Sequence, residues 1–151
     1  MKIESFGDLL GFEHREAPLD HALITVDLSP QLCNRSGLVH GGVVMAIMDA
    51  AGCWAAVPWN APSPEAATAS FSCNFLRGVN VKSASTLYAK AEIVKRGKAL
   101  YFANVVVFAN EDGPIVATGQ GVYSFLPKRS ESTSEIAVTG VLNAAESSLF
   151  K

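Results

Sequence analysis

The sequence predicts an α+β fold in which one long helix packs against an antiparallel sheet. Residues 43–57 form a long apolar segment with helical spacing, and four segments of strand composition follow it with no second helix between them. Consecutive strands joined by short turns pair with one another, and the apolar helix needs such a sheet to cover it. The chain has 151 residues, of which 49% are hydrophobic, so it is long enough to bury one core as a single domain.

The elements before the sheet are a short helix, a strand and the long helix. Residues 4–11 carry apolar side chains at helical spacing and stop at a glycine, which predicts the short helix. Residues 22–28 alternate apolar and polar side chains, which is the pattern of a half-buried strand. A glycine pair, Gly41 and Gly42, opens the long helix, and Pro58 terminates it.

The four later strands are rich in Val, Phe, Tyr and Thr and are separated by turn sequences. They are predicted at residues 68–76, 86–95, 100–110 and 115–126. We therefore predict a folded domain over residues 1–126. Residues 127–151 are rich in Ser and Glu up to a weakly helical stretch at 141–150, and we expect this tail to be mobile or to dock on the domain surface.

Charge and cysteine content argue against several classes of protein. Lys and Arg number 12 and Asp and Glu number 14, so the formal net charge of −2 offers no attraction for nucleic acid or for an anionic membrane. The N-terminal residues mix acids and bases and lack the apolar stretch of a signal peptide, so we expect a cytoplasmic protein. The three widely spaced cysteines fit neither a disulfide framework nor a zinc site. Charged residues make up only 17% of the chain, against about 25% in a typical domain, which predicts that some apolar surface lies in a subunit interface.

Asp49 is the one carboxylate within the long apolar helix. Its neighbours are apolar or small, and Met45, Met48 and Gly52 would lie beside it on the helix surface. Burying a carboxylate is costly unless it has a partner or a wet cavity. The alternative is a solvated stripe on the helix, but those neighbours would make the stripe poorly polar. We therefore interpret Asp49 as a functional residue, because such carboxylates concentrate in sites.

The loop that enters this helix, residues 34–42, has the composition of an oxyanion site. Backbone N–H groups in the first helical turn have no intrahelical acceptor, and a glycine at Gly41 lets a carbonyl oxygen approach them. A glycine pair alone fits a plain helix start equally well, and a lone His40 is more often a packing or capping residue than a base. The combination of a glycine-opened helix, a lone carboxylate two turns later and Asn34 upstream favours a catalytic site.

Together these residues resemble the PaaI-type acyl-CoA thioesterases of the hotdog fold. The positions that carry the resemblance before and within the helix are Asn34, Gly37, His40, Gly41, Gly42, Met48, Asp49 and Ala51. The likeness extends through segments 68–77, 95–98 and 112–119, and it covers residues 22–126 overall. It implies a long helix wrapped by a curved antiparallel sheet, homodimers or homotetramers with active sites at the dimer interface, and an acyl-CoA substrate.

The resemblance also implies roles for individual residues. The Gly41 amide would hold the thioester carbonyl, and Asp49 of the facing subunit would act as general base or as nucleophile. Asn34 would orient the water or the substrate, and Ser70 would support the water or Asp49 from its strand. His40 lies in the same motif and is counted with these catalytic candidates.

Binding of coenzyme A is less sharply specified by the sequence. The candidate residues are Gly42, Arg77, Arg96, Gly97 and Lys98. A basic turn can meet nucleotide phosphates, although such a turn is more often simply solvated. The family usually has Pro after the Leu-Arg pair, whereas Gly78 follows here, which weakens any carried-over contact near Arg77. No cofactor or metal is expected, because coenzyme A enters as part of the substrate.

Hydrolysis of a small, medium-chain or aryl acyl-CoA is the predicted function. The bulk of Trp54, Val57 and Trp59 near the helix end favours the aryl or medium-chain groups. A non-catalytic acyl-CoA-binding hotdog is the first alternative, although the sequence shows no recognition helix or basic arm that would serve as the output of a sensor. A hotdog dehydratase or hydratase is the second. It needs a catalytic His paired with a carboxylate, and of the three histidines only His40 lies near the predicted site.

Overall fold

A computed structural model describes residues 5–126, which contain two α-helices, one 3-10 helix and six strands. Helix α1 spans Phe6–Leu10 and helix α2 spans Gly41–Trp54, with the 3-10 helix Pro30–Leu32 before α2. The strands are β1 (Phe12–Arg15), β2 (His21–Asp27), β3 (Ala66–Phe75), β4 (Thr86–Arg96), β5 (Leu100–Ala109) and β6 (Ile115–Phe125). The predicted C-terminal tail, residues 127–151, lies outside the described residues.

Helix α2 lies across one face of a single antiparallel sheet. In the described range the strand order is β1-β2-β4-β5-β6-β3, and α2 contacts β2, β3, β4, β5 and β6. The buried residues of the helix are Val43, Val44, Ile47, Met48, Ala51 and Gly52. They meet the inward side chains of the strands, which alternate with exposed ones along β4 and β5. The α+β architecture predicted from one helix and a run of strands is confirmed.

Two elements are not predicted by the sequence, and α2 ends earlier than expected. Strand β1 has four residues, in which Glu13 and Arg15 alternate with two half-buried side chains, and such a short run gives little periodicity to read. The 3-10 helix occupies residues that the composition assigns to a loop. Helix α2 stops at Trp54, and Val57 N–H then bonds to Trp54 O in a tighter turn. Pro58 disfavours the α conformation in the residue before it, so the helix cannot continue through Val57.

Strand β3 is an edge of the sheet and is exposed along most of its length. Strand β6 pairs with one side of β3, and no other strand among residues 5–126 pairs with the opposite side. The register shifts between Thr68 and Ser70, which marks a β-bulge. A ten-residue edge of this kind is a template for pairing with another chain.

Candidate active site

Asn34 fixes the shape of the loop before α2. Its side-chain Oδ1 accepts hydrogen bonds from the backbone N–H groups of Ser36 and Leu38, at 2.9 and 3.2 Å. Between them Gly37 has a φ of +76°, which glycine adopts without strain. In the described range the structure gives the Asn34 side-chain NH₂ no acceptor, so this group is free to donate to a ligand.

His40 caps the N-terminus of α2. Its ring Nδ1 accepts a hydrogen bond of 2.9 Å from the backbone N–H of Gly42. A nitrogen that accepts a hydrogen bond carries no proton, so Nδ1 is the unprotonated nitrogen of the ring. The sequence predicts a catalytic role for His40 and a substrate-binding role for Gly42. In the structure the two residues satisfy each other as a helix cap instead.

The backbone N–H of Gly41 is the open donor at this helix end. Gly41 is the first residue of α2, where no intrahelical acceptor exists, and no other acceptor for it lies among residues 5–126. The positive end of the helix dipole adds to its attraction for a negative oxygen. A Cβ atom at Gly41 would lie 3.5 Å from the ring of Phe75, so this ring stands close to the amide. This is the arrangement that the sequence predicts for an oxyanion donor.

A cleft of about 250 Å³ opens beside Gly41. Its lining includes Asn34 and Gly41 from the start of the helix, and Phe75 and Arg77 from the end of β3. Three of the predicted site residues therefore share one cleft. Arg77 reaches it although Gly78 stands where the family usually has Pro.

Asp49 faces the edge strand and is only half-buried. The hydroxyl of Thr68 on β3 donates a hydrogen bond of 2.6 Å to Asp49 Oδ1. Thr68 Oγ1 also lies 3.4 Å from the sulfur of Cys53, one turn along α2 from Asp49. The carboxylate is thus less buried than the sequence suggests, because an edge strand leaves this side of the helix partly open. Thr68 is the hydrogen-bond partner that a carboxylate in this apolar helix needs.

Thr68 supports Asp49 in this structure, and Ser70 does not. Residues two apart on a regular strand share a face, but the bulge between Thr68 and Ser70 breaks that alternation. Ser70 lies on the outer face of the sheet, where it lines a cavity with Asn104 and Gln120. Sequence reasoning missed Thr68 because composition does not reveal a bulge. The only available signal was a second hydroxyl residue at the start of the strand.

Two buried tyrosines fill the space beneath the C-terminal end of α2. The hydroxyl of Tyr101 donates to the backbone carbonyls of Gly52 and Cys53, each at 3.0 Å. Tyr123 stacks on Tyr101 with ring centroids 5.1 Å apart, and its buried hydroxyl has no hydrogen-bond partner among residues 5–126. Burial raises the pKa of both hydroxyls well above the usual range, and the charge of Asp49 acts in the same direction. Both tyrosines therefore remain protonated at neutral pH.

The same substitution at these two tyrosines is expected to have opposite effects on stability. Tyr101→Phe removes the donor from two carbonyls near the helix end and should lower the free energy of unfolding by about 1 kcal/mol. Tyr123→Phe removes a buried hydroxyl without a partner and should raise it by about 1 kcal/mol. Urea unfolding of both variants beside the wild type measures the difference. Equal losses of stability would show that the Tyr123 hydroxyl has a partner after all.

Arg96 and Gly97, in the basic turn after β4, bind partners within the domain. Arg96 forms an ion pair with Asp20 and donates a hydrogen bond of 3.1 Å to the backbone carbonyl of Ala56. The N–H of Gly97 closes the hairpin turn by donating to the backbone carbonyl three residues later, at 2.8 Å. A phosphate would have to displace these partners, so Arg96 and Gly97 are structural rather than open to coenzyme A. Lys98 is exposed and has no partner among the described residues.

The three large residues near the end of α2 have different surroundings. Trp54 packs against His14 with ring centroids 4.0 Å apart, and burial lowers the pKa of His14. Val57 is buried, whereas Trp59 is 41% exposed. Trp54 and Val57 therefore belong to the packed interior, and Trp59 is the exposed member of the three.

Gly41 and Asp49 are too far apart to act on one thioester within a single protomer. Eight residues of α-helix at about 1.5 Å each separate them by about 12 Å along the axis. A general base must lie within hydrogen-bond reach of the water whose proton it removes, and that water must reach the carbonyl carbon. One atom therefore cannot lie within hydrogen-bond reach of both groups in a single protomer.

Two further observations on residues 5–126 concern membrane-spanning helices and metal ions. Neither of its helices combines the length and the apolar character that a bilayer crossing requires. Nowhere between residues 5 and 126 do three His, Cys, Asp or Glu side chains come together in a way that would hold a metal ion.

Comparison with known proteins identifies the family of this chain. The model of the thioesterase superfamily matches residues 36–116, which include Gly41, Asp49 and Thr68. Rv1847 of Mycobacterium tuberculosis, whose name proposes an esterase, is 29% identical over 118 residues, which make up 76% of this chain and 81% of the relative. Its solved structure is 28% identical and covers 83% of this chain and 98% of its own, with a TM-score of 0.70.

Two further solved structures have the same fold. A thioesterase family protein from Silicibacter pomeroyi is 26% identical, with a TM-score of 0.67 over 80% of this chain and 88% of its own. PaaI of E. coli, from the phenylacetic acid degradation operon, is 20% identical, with a TM-score of 0.68 over 80% of this chain and 83% of its own. These likenesses confirm the hotdog fold that the resemblance to PaaI-type proteins predicts. Because the family model spans more than half of its residues, the chain belongs to the thioesterase superfamily.

Proposed function

We propose that the protein is an acyl-CoA thioesterase that hydrolyses small, medium-chain or aryl thioesters. The observation that carries the proposal is a half-exposed carboxylate, Asp49, held by Thr68 on a helix whose first amide, at Gly41, has no acceptor in the described range. These are the base and the oxyanion donor that thioester hydrolysis needs. Membership of the thioesterase superfamily supports the reaction class.

The proposed reaction needs a polarised carbonyl and an activated nucleophile. The Gly41 N–H donates to the thioester oxygen and stabilises the negative charge that forms on it. Asp49 removes a proton from water as that water attacks the carbonyl carbon, or it attacks the carbon directly and water then releases the acyl group. The C–S bond breaks, and coenzyme A leaves as a thiolate beside the free acid. Because a thiolate is a good leaving group, the reaction needs neither a strong general acid nor a cofactor.

We further propose that the complete site forms between two protomers. Near Gly41 and Asp49, two large apolar side chains are exposed, Phe75 on β3 by 52% and Met45 on α2 by 44%. Antiparallel pairing of two β3 edges about a twofold axis would cover these side chains. It would also bring the Gly41 end of one helix toward Asp49 of the other. The assembly is then a homodimer, or a homotetramer of two such dimers.

Thiol release from a panel of acyl-CoAs tests this function. The panel contains acetyl, medium-chain, long-chain and aryl groups, and we expect turnover with at least one of the small, medium-chain or aryl members. No turnover by a folded oligomer with any member would contradict the proposal and favour a carrier-protein thioester or a binding module. Sedimentation of an active protein as a monomer would contradict the shared site.

The cytoplasm is the compartment in which we expect this reaction. Cys33, Cys53 and Cys73 are all free thiols in the structure, and thiols stay reduced in the cytoplasm.

Arg77 is the basic residue that we expect to bind the phosphates of coenzyme A. Arg77→Gln should raise KM for acyl-CoA about tenfold with little change in kcat, because a charge-assisted hydrogen bond to phosphate is lost. KM for the matching N-acetylcysteamine thioester, which has no nucleotide, should not change. Arg15→Gln is the matched control, since Arg15 lies on β1 and pairs with Glu13. An equal rise in KM for both substrates would mean that Arg77 does not contact the nucleotide.

A further inference from the structure

Three side chains from α2 and β3 form one connected cluster on the side of α2 that faces β3. Asp49 and Cys53 are four residues apart, so they lie on the same side of the helix. Thr68 stands opposite both of them on β3, with its hydroxyl oxygen 2.6 Å from Asp49 Oδ1 and 3.4 Å from Cys53 Sγ. The proposed mechanism uses Asp49 held by Thr68, and it leaves Cys53 without a stated role.

The direction of these two hydrogen bonds follows from the atoms involved. An ionised carboxylate only accepts, so the single hydrogen of the Thr68 hydroxyl points at Asp49. The Thr68 oxygen then has only lone pairs left, and the contact with Cys53 must be donated by the thiol S–H. The chain of donors runs from Cys53 to Thr68 to Asp49.

We propose that Cys53 is a positioning residue for Asp49, which acts by donating its S–H to Thr68 and so fixing the direction of the Thr68 hydroxyl. The proposal rests on the hydrolytic role of Asp49 proposed above. With Oδ1 held by Thr68, the second carboxylate oxygen, Oδ2, accepts no hydrogen bond from residues 5–126 and is left for the attacking water. Loss of the thiol would let the Thr68 hydroxyl rotate away and would free Asp49 to turn.

The protonation of the surrounding groups agrees with this direction. Burial raises the pKa of the Cys53 thiol, the hydrogen bond with Thr68 opposes that shift, and the charge of Asp49 adds to it. The thiol therefore keeps the proton that it donates. The other titratable groups that face Asp49 are Tyr101 from β5 and Tyr123 from β6, and burial keeps both protonated.

The test compares Cys53→Ala with two matched variants under steady-state kinetics. Cys53→Ala should lower kcat about fivefold with KM unchanged, as expected for one lost hydrogen bond that matters in the transition state. The acid limb of its pH–kcat profile should move to higher pH, because a carboxylate held by a weaker donor binds its proton more tightly. Cys53→Ser keeps a donor and should stay within about twofold of the wild type. Cys73→Ala removes a different half-buried thiol, which lies on β3, and should change neither kcat nor the pH profile.

An unchanged pH profile in a folded Cys53→Ala variant, or a Cys53→Ser variant as impaired as Cys53→Ala, would overturn the proposal. A second measurement does not depend on activity. The infrared S–H stretching band of Cys53, isolated by subtracting the Cys53→Ala spectrum, should shift to higher frequency in Thr68→Val, because the acceptor of the thiol is removed. An unmoved band would overturn the proposal even if the protein hydrolyses acyl-CoA. A band that moves in a protein without thioesterase activity would locate the failure in the proposed function.

Discussion

Asp49→Asn is expected to lower kcat for thioester hydrolysis about 10³-fold, in the middle of the range for the loss of a general acid or base. The amide has nearly the same shape as the carboxylate, and its oxygen can still accept the hydrogen bond from Thr68. It cannot take a proton from water or attack a carbonyl, so the chemistry stops while the packing of α2 is preserved. KM should change little, because the carboxylate contributes to the transition state more than to substrate binding.

Asp27→Asn is a close control for this experiment. Asp27 ends β2 and accepts a hydrogen bond of 2.8 Å from the hydroxyl of Thr86, so it repeats the Asp–Thr contact on other elements of the domain. Activity of Asp27→Asn should equal that of the wild type. A folded Asp49→Asn variant with wild-type kcat would show that Asp49 is neither base nor nucleophile, and the site would have to be sought elsewhere on the chain.

The fold was predictable because its main elements have strong internal periodicity. The four long strands and α2 each carry enough apolar side chains at one spacing to distinguish strand from helix. Strand β1 has only Phe12 and His14 on its inner side, and its place in the sheet depends on pairing with β2. Such short elements are specified by their neighbours in space, which a local pattern does not contain.

The candidate site was predictable where it depends on a single element. Gly41 and Asp49 stand out because the helix start and the apolar helix are each visible in the sequence. The partner of Asp49 comes from another element, and the bulge in β3 decides that Thr68 rather than Ser70 faces the helix. Strand periodicity alone places both hydroxyls on one face, so it does not decide between them.

The basic turn shows the same limit for charged residues. Arg96 lies next to Gly97 and Lys98 in the sequence, which suggests a phosphate-binding cluster. Its actual partners are Asp20, 76 residues earlier, and the carbonyl of Ala56 beyond the end of α2. A charge that is satisfied by distant residues is indistinguishable from a free one until the fold is known. Arg77, which lines the cleft beside Gly41, is the better candidate for the nucleotide.

Gly52→Ala is expected to cost the largest share of stability among single-methyl changes in α2. A Cβ atom at Gly52 would lie 1.8 Å from the hydroxyl oxygen of Tyr123 and 2.2 Å from its Cζ. Tyr123 is fully buried and stacks on Tyr101, so its ring has no space into which it can move. Overpacking of this kind should lower the free energy of unfolding by about 3 kcal/mol or more, although alanine favours a helix interior by about 1 kcal/mol over glycine. Denaturant unfolding measures the change.

Gly41→Ala is the matched control for stability, because its Cβ would meet the Phe75 ring at an ordinary 3.5 Å. We expect that variant to unfold within about 1 kcal/mol of the wild type, the size of the helix-propensity difference. The cause of the Gly52 effect is tested by a double-mutant cycle with Tyr123→Leu, which removes the phenol ring. Gly52→Ala should cost less in the Tyr123→Leu background than in the wild type, because the clash has then lost one partner. Additive losses would mean that the methyl group at position 52 meets a different obstacle, and the buried Tyr123 hydroxyl would no longer explain why this position is glycine.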